Sequence, residues 1–449
     1  MTTEHVEEKI RDTLHAVALD RVRAPGDLAE KVVRRHTRRR LTQAAGAVAA
    51  VTAITAGAVF GLDAGTTTEQ PPPTRPAASP QGWQPWRNAT PGATERHCLV
   101  DGSALYCSGT KYDVAKFDAN TGKRLWTVKV NREGDGISGP FAARDGVVYT
   151  YRNHTAHNTP DGDYAGGTDL MAVDADNGTT LWKAEMPQDD RTDQAAMLID
   201  GAVLANTPTL RTMSALDPLT GKEKWRHTWD KGTVCQRAVL SGTPHLLCTR
   251  DTEKPHDSEL LRLDPETGNT EKTTTVPGRQ QLLGTSRNRL VLLEDNSTPG
   301  QNRRVTTFTK TGERTTHPYP LEGRLAKLDL VGDHLIAVTW KGTATAYSPT
   351  TGKTLWTSPA GIKMPPSDTM TGIASPVVSA AQGTVYFYGP NGDLSGLDLR
   401  TGKQVWHTHI APPETGPHYG PSPQLLRYED TLITRNGSKI VSLLPPTGH

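Results

Sequence analysis

With 449 residues and 50 Lys and Arg against 48 Asp and Glu, the chain has room for one large repeat array or for two to three domains. Its near-neutral balance excludes a global nucleic-acid-binding surface. The 33 Pro and 42 Gly require many turns.

Residues 1–40 read as a charged, basic cytoplasmic segment. Val6, Ile10, Leu14 and Val17 fall on one stripe of a short helix. Ala24-Pro25-Gly26 breaks it, and Asp27 is placed to cap a second helix over 28–35. The segment ends in Lys31, Arg34, Arg35, Arg38, Arg39 and Arg40. It reads as a solvated membrane flank, with docking of a cytoplasmic partner or anionic lipid as the sharper alternative. No cysteine precedes Cys98, which excludes a Cys/His zinc site in this head.

Residues 41–62 carry no charge over 22 positions, close to the roughly 20 needed to span a bilayer. Arginines precede the run and Asp63 follows it, so a single transmembrane helix is expected with the N-terminus in the cytoplasm. The alternative is a cleaved export signal, with Ala56-Gly57-Ala58 as cleavage site, after which the remainder is secreted. The 40-residue charged flank favours the uncleaved anchor. Gly57-x-x-x-Gly61 continues a stripe of small residues suited to helix–helix packing. Residues 63–80 form a Pro/Thr-rich linker that favours an extended spacer.

From residue 81 a repeat takes over. Met213–Trp225 reads strand, tight turn, strand, ending in tryptophan. Related stretches are DANTGKRLW at 118–126, DADNGTTLW at 174–182, YSPTTGKTLW at 347–356 and LDLRTGKQVW at 397–406, with weaker copies around Gly268 and Gly312. The turn glycines are Gly122, Gly178, Gly221, Gly268, Gly312, Gly352 and Gly402, spaced by 56, 43, 47, 44, 40 and 50. Periods in the forties mark four-stranded propeller blades. An eighth turn, ending at Gly448, has no strand after it. Gly82 and Trp86 repeat the glycine-to-tryptophan interval of four with no turn before them. Strand 86–90 is therefore expected to close the last blade and the ring. The expected fold is an all-β, eight-bladed β-propeller over 81–449, preceded by the transmembrane helix and short helical head. Seven blades is the alternative if the degenerate fifth unit is not a blade. Trp86, Trp126, Trp182, Trp225, Trp356 and Trp406 are read as wedges between adjacent blades, and the recurring Asp, Thr and Gly as turn chemistry.

The four cysteines form two local pairs. Cys235 and Cys248 are equidistant from Ser241-Gly242, and Cys98 and Cys107 from Gly102-Ser103. Counting outward from two-residue hairpins places each pair at a non-hydrogen-bonded position, close enough for a disulfide. Two disulfides fit an oxidising exterior.

The pattern Ala-Leu-Asp-x-x-Thr-Gly-x-x-x-Trp at blade spacing resembles the PQQ-binding-like β-propeller repeat family over 81–449. That family includes quinoprotein alcohol and glucose dehydrogenases, an outer-membrane assembly scaffold lipoprotein and sensor domains of membrane kinases. The dehydrogenases often carry adjacent bonded cysteines, a calcium and a catalytic Asp. No adjacent Cys-Cys occurs here, and no position matches the other two.

The longest break in the repeat is 154–169, HTAHNTPDGDYAGGTD. Asp161, Asp163 and Asp169 provide hard oxygen ligands near glycines, as calcium requires, but no Glu completes an EF-type frame. The simpler reading is a solvated loop, the first choice for a partner contact. Residues 251–257 and 296–304 are similar loops. No nucleophile elbow, phosphate-binding loop or kinase signature is present, and no catalytic, cofactor or metal residue is assigned. The expected function is a membrane-tethered extracytoplasmic binding scaffold or sensor for a protein, peptide or envelope ligand, without enzymatic activity or cofactor and without nucleic acid as partner. The alternative is a PQQ- and calcium-dependent alcohol or sugar dehydrogenase.

Overall fold

The repeated turn is built from one carboxylate. Asp217 Oδ1 accepts hydrogen bonds from the Leu219 amide (3.1 Å), the Thr220 amide (2.8 Å) and the Thr220 hydroxyl (2.8 Å). Asp264 and Asp398 repeat this with Thr267 and Thr401. The glycine amide closes each turn on the aspartate carbonyl at 2.8–2.9 Å in five copies. Glycine then takes φ near +70°, as at Gly221 (+69°) and Gly402 (+71°). The copy at Gly312 is one residue shorter, because its amide bonds Thr309 rather than a residue four back. This shortening explains why that unit looks degenerate.

These turns set a falling acid limb of stability. Although burial pushes the Asp217 carboxyl up, the Thr220 hydroxyl and the turn amides hold it below the ordinary carboxylate range. The Thr267 hydroxyl and amide do the same for Asp264. A depressed carboxyl stabilises the fold fully above its unfolded pKa of about 3.9, and the benefit disappears as pH falls through the folded value. The urea midpoint is therefore expected to be flat from pH 7 to about 5 and to decline below about 4. Asp217→Asn should shallow that decline; an unchanged acid limb in the variant would contradict the assignment.

The computed structural model describes residues 77–89, 97–109, 111–129, 139–158, 164–186, 196–250, 257–294, 303–319, 324–366, 372–411 and 423–445. They form eight four-stranded antiparallel sheets. Blades 1 to 7 are sequential meanders covering 98–129, 139–186, 196–228, 233–276, 280–319, 325–359 and 377–409. Blade 8 takes three strands from 424–443 and its outer strand from Trp86–Ala89, with Trp86 opposite Ser442 and Ala89 opposite Lys439. The fifth unit is a full blade, so the count is eight rather than seven. The innermost strands touch in order from blade 7 through 8 and 1 to blade 6. The seam between blades 6 and 7 closes through Ile336, Val338 and Trp356 against Val385, Phe387 and Leu397.

Among the described residues, buried apolar side chains gather in eight clusters, one at each seam. The core is thus a ring of inter-blade layers. This follows from sheets packed face to face around the ring, with side chains along each strand alternating between its two neighbours.

Both disulfides are present. Cys98–Cys107 and Cys235–Cys248 join directly opposed residues of the two innermost strands of blades 1 and 4, with Cα atoms 4.0 Å apart. All four cysteines are buried. Removing Cys235–Cys248 by a double serine substitution is expected to cost about 2–3 kcal/mol, from the loop-closure entropy of a short loop. Denaturant titration of wild type and variant under non-reducing conditions checks this; equal stabilities would contradict it.

Among the described residues there is no helix, and none long and apolar enough to cross a membrane. The expected helical head (1–40), transmembrane helix (41–62) and most of the linker (63–76) lie outside the described residues.

Candidate partner-binding face

A four-stranded meander puts its first and third turns at one end and its second turn and exit at the other. All A–B and C–D turns (strands lettered outward from the axis) therefore share one face of the disc, and all B–C and blade-to-blade connections share the opposite face.

The A–B/C–D face is stitched together. Each described wedge tryptophan except Trp406 donates its indole N–H to the next blade's turn, at the carbonyl after the aspartate position. The pairs are Trp86 to Ala119 (2.8 Å), Trp126 to Ala175 (3.1 Å), Trp182 to Pro218 (3.0 Å), Trp225 to Pro265 (2.8 Å) and Trp356 to Leu399 (2.7 Å). The turn glycine lies flat on that indole. A Cβ on Gly221 would sit 2.7 Å from Trp182 Cδ2, and one on Gly402 2.7 Å from Trp356 Cδ2. Glycine is thus required twice, for φ and for the approach of the ring. Trp406 instead meets Tyr386 edge-on at 6.1 Å. The eighth turn expected from the sequence, ending at Gly448, lies outside the described residues. Where no tryptophan exists, His317 bonds the Thr350 carbonyl at 3.0 Å and packs on Gly352, and Lys272 packs on Gly312.

Neighbouring A–B turns also bond one another on this face. Arg144 reaches Ile199 O (2.8 Å) and Asp200 (3.3 Å), Arg287 pairs with Asp333, and Gln382 donates to Asp430 O (3.3 Å). The chain also enters here. The Ala78 amide donates to Asp430 Oδ2 at 3.0 Å, and Trp83 Nε1 to Ser442 Oγ at 2.9 Å.

The opposite face carries the long connections. Blade 2 projects the longest: strand Val147–Asn158 pairs with Tyr164–Asp174 as far as Asn158 opposite Tyr164. The loop expected over 154–169 is therefore largely a ladder. Its first proline is Pro160, so every residue before that can donate to the ladder. At its root Arg152, 8% exposed, reaches across the seam to Asp113, 2% exposed, at 3.2 Å. A buried pair of this kind fixes geometry more than it adds stability. Thr207 on the blade 3 connection donates to Glu185 O at 3.0 Å, and Arg324 lies 5.7 Å over the Trp340 ring in blade 6. Leu210 and Val234, on adjacent blades of this face, are exposed apolar side chains (42% and 36%).

Two glutamines that the sequence did not single out lock the rim of the axis. Gln424 of blade 8 accepts from Cys98 N (2.8 Å) and donates to Cys98 O (2.7 Å) in blade 1. Gln236 of blade 4 accepts from Leu282 N (2.8 Å) and donates to Gln280 O (3.3 Å) in blade 5. They lie outside the repeated motif, so only the folded ring pairs them. Nearby, burial lowers the Arg435 guanidinium to about 10, with Tyr388 opposing. Burial raises the Asp329 carboxyl, with Lys327 at 3.9 Å opposing.

Among the described residues no group of three or more His, Cys, Asp or Glu converges to hold a metal. Of the residues weighed for calcium, Asp169 stands opposite Arg152 in the ladder, while Asp161 and Asp163 lie outside the described residues. The cysteines serve the two disulfides. The six wedge tryptophans are spread around the rim, one per blade, and converge on no common site.

The sequence model of the PQQ-type repeat family described as outer membrane protein assembly factor BamB matches residues 110–298 and 256–441. Among solved structures, BamB from Moraxella catarrhalis is similar at 14% identity, covering 80% of this chain and 98% of that one, with a TM-score of 0.50. The computationally designed Ika8 protein is similar at 12% identity, covering 79% and 97%, also with a TM-score of 0.50. The quinohemoprotein alcohol dehydrogenase from Comamonas testosteroni aligns at 13% identity over 79% and 68%, with a TM-score of 0.33. No curated protein sequence matches the chain. At these identities the structural likenesses establish the fold alone.

Proposed function

Because the chain belongs to the PQQ-type β-propeller repeat family described as outer membrane protein assembly factor BamB, we propose that it is a protein-binding scaffold. We further propose that it is held at the cell membrane by 41–62, with its N-terminus in the cytoplasm and its propeller outside the cytoplasm. One observation carries the reading. The chain enters the disc on the stitched A–B/C–D face, through the bond from Ala78 to Asp430. The face bearing the extended blade 2 hairpin and the longer connections is the opposite one. The partner is proposed to engage that second face, where the chain departs furthest from the repeat. The buried disulfides support an oxidising location.

The test is affinity recovery of the full-length chain from intact cells after cross-linking, with topology reporters on the two sides of 41–62. A specific extracytoplasmic protein partner and an external propeller are expected. A propeller facing the cytoplasm would overturn the location. Turnover of alcohols or sugars by the purified chain on addition of PQQ and calcium would overturn the scaffold reading.

A further inference from the structure

We propose that the seam between blades 4 and 5 is a binding site for a small oxyanion, a carboxylate or phosphate group held by Lys272, Arg262 and His245. The three residues are consecutive cross-strand partners, Lys272 opposite Arg262 and Arg262 opposite His245. They occupy the row that carries the wedge in other blades. There the row reads Trp182, Ala172, Tyr149 in blade 2, Trp225, Ala215, Leu204 in blade 3 and Trp356, Ala346, Ile336 in blade 6. Blade 1 has a single base in its row, Lys116, which donates to Ala175 O at 2.7 Å and lies over the Tyr106 ring. Blade 4 alone among the described rows has three basic members.

Their side chains line a small cavity of about 20 Å³ closed by Leu290, Phe308 and Gly312 of blade 5, with Lys310 at its edge. That space is near the size of a single water or anion oxygen. The ligand therefore inserts one or two oxygens and leaves the rest of its structure outside.

Charge and burial both point to an anion. Like charges directly opposite across strands repel, and the only acid at this row is Glu271, 2.7 Å from Arg262 Nε. Lys272 and Lys310 add two further positive charges to the same slot. His245 is 6% exposed. Its Nδ1 faces the Thr243 carbonyl at 3.0 Å and so carries the proton. Its Nε2 makes no hydrogen bond among the described residues, and His245 is one of the residues that line the cavity. A protonated oxyanion such as monohydrogen phosphate, or a carboxylate bridged by water, can satisfy that nitrogen, while Lys272 and Arg262 supply charge-assisted bonds. The ligand thereby replaces the missing indole as filler of the seam.

The test uses the full-length chain with sodium phosphate, sodium acetate and sodium chloride at matched ionic strength, read by calorimetry and by the thermal midpoint. Phosphate, acetate or both should bind one to one and raise the midpoint above chloride; which of them does so identifies the source as a phosphate or a carboxylate species. Lys272→Ala should weaken binding about tenfold or more. Lys224→Ala, an exposed lysine on blade 3, should leave it unchanged. Lys272→Trp, which restores the wedge, should abolish the anion effect while retaining or raising the midpoint in chloride. Equal behaviour of all three salts, or undiminished binding by folded Lys272→Ala, would overturn the proposal.

Discussion

Replacing Trp86 with alanine is expected to destabilise the propeller by about 3–5 kcal/mol, the usual cost of truncating a buried tryptophan. Trp86 is 9% exposed and belongs to the cluster that joins blade 8 to blade 1 through Phe117, Ala119, Tyr428 and Ile433. Its loss also leaves the Ala119 carbonyl without its indole donor. The other bonds on this strand depend on the same docking, including Asn88 Nδ2 to Gly122 O at 3.1 Å. Trp86 sits on the strand that joins the two ends of the described chain by pairing with 439–442, so loss of its docking weakens the closure of the ring, whereas loss of an internal wedge leaves covalent connections on both sides. Urea denaturation of wild type, Trp86→Ala and Trp225→Ala measures the effect. Trp86→Ala should be at least as destabilising as Trp225→Ala and should expose the Trp86–Ala89 strand to protease before the other blades. A loss below about 1 kcal/mol, typical of a surface change, would contradict the closure described above.

The second large effect concerns the turn glycines. Gly221→Ala combines a left-handed backbone, φ +69°, with a Cβ 2.7 Å from the Trp182 ring. Gly146→Ala has the same backbone demand, φ +81°, with nothing within 4 Å of the added carbon. The expected cost is about 1 kcal/mol for Gly146→Ala, from backbone strain alone. For Gly221→Ala it is about 3 kcal/mol or more, because the wedge must also move. Equal costs would show that the repeated glycine serves the turn only.

These effects mark the limit of what the linear chain reveals. The Asp-x-x-Thr-Gly turn, the eight periods, the strand borrowed from Trp86 and both cysteine pairs were legible, because each depends on local register or a fixed spacing. The contact of Gly221 with Trp182 was not, since it joins residues of different blades through space. Nor were the clasps at Gln236 and Gln424, which carry no repeat signature. The weak copy at Gly312 becomes intelligible only once its shorter turn and its Lys272 neighbour are seen together. At the candidate face, 154–169 stands out in the sequence by its length and reads as a loop. The ladder that rises from blade 2 was hidden because its Thr, His and Asn alternation is polar on both sides, without the apolar period that marks a half-buried strand.

The proposed protein partner engages the face bearing the B–C and blade-to-blade connections. The most direct measurement is photo-cross-linking in intact cells from single positions on each face of the full-length chain: Leu210 and Val234 on that face, Asp200 and Glu266 on the stitched one. Cross-links to one protein from Leu210 and Val234, and none from Asp200 and Glu266, are predicted. The reverse pattern would place recognition on the turns that hold the ring together and would contradict the account.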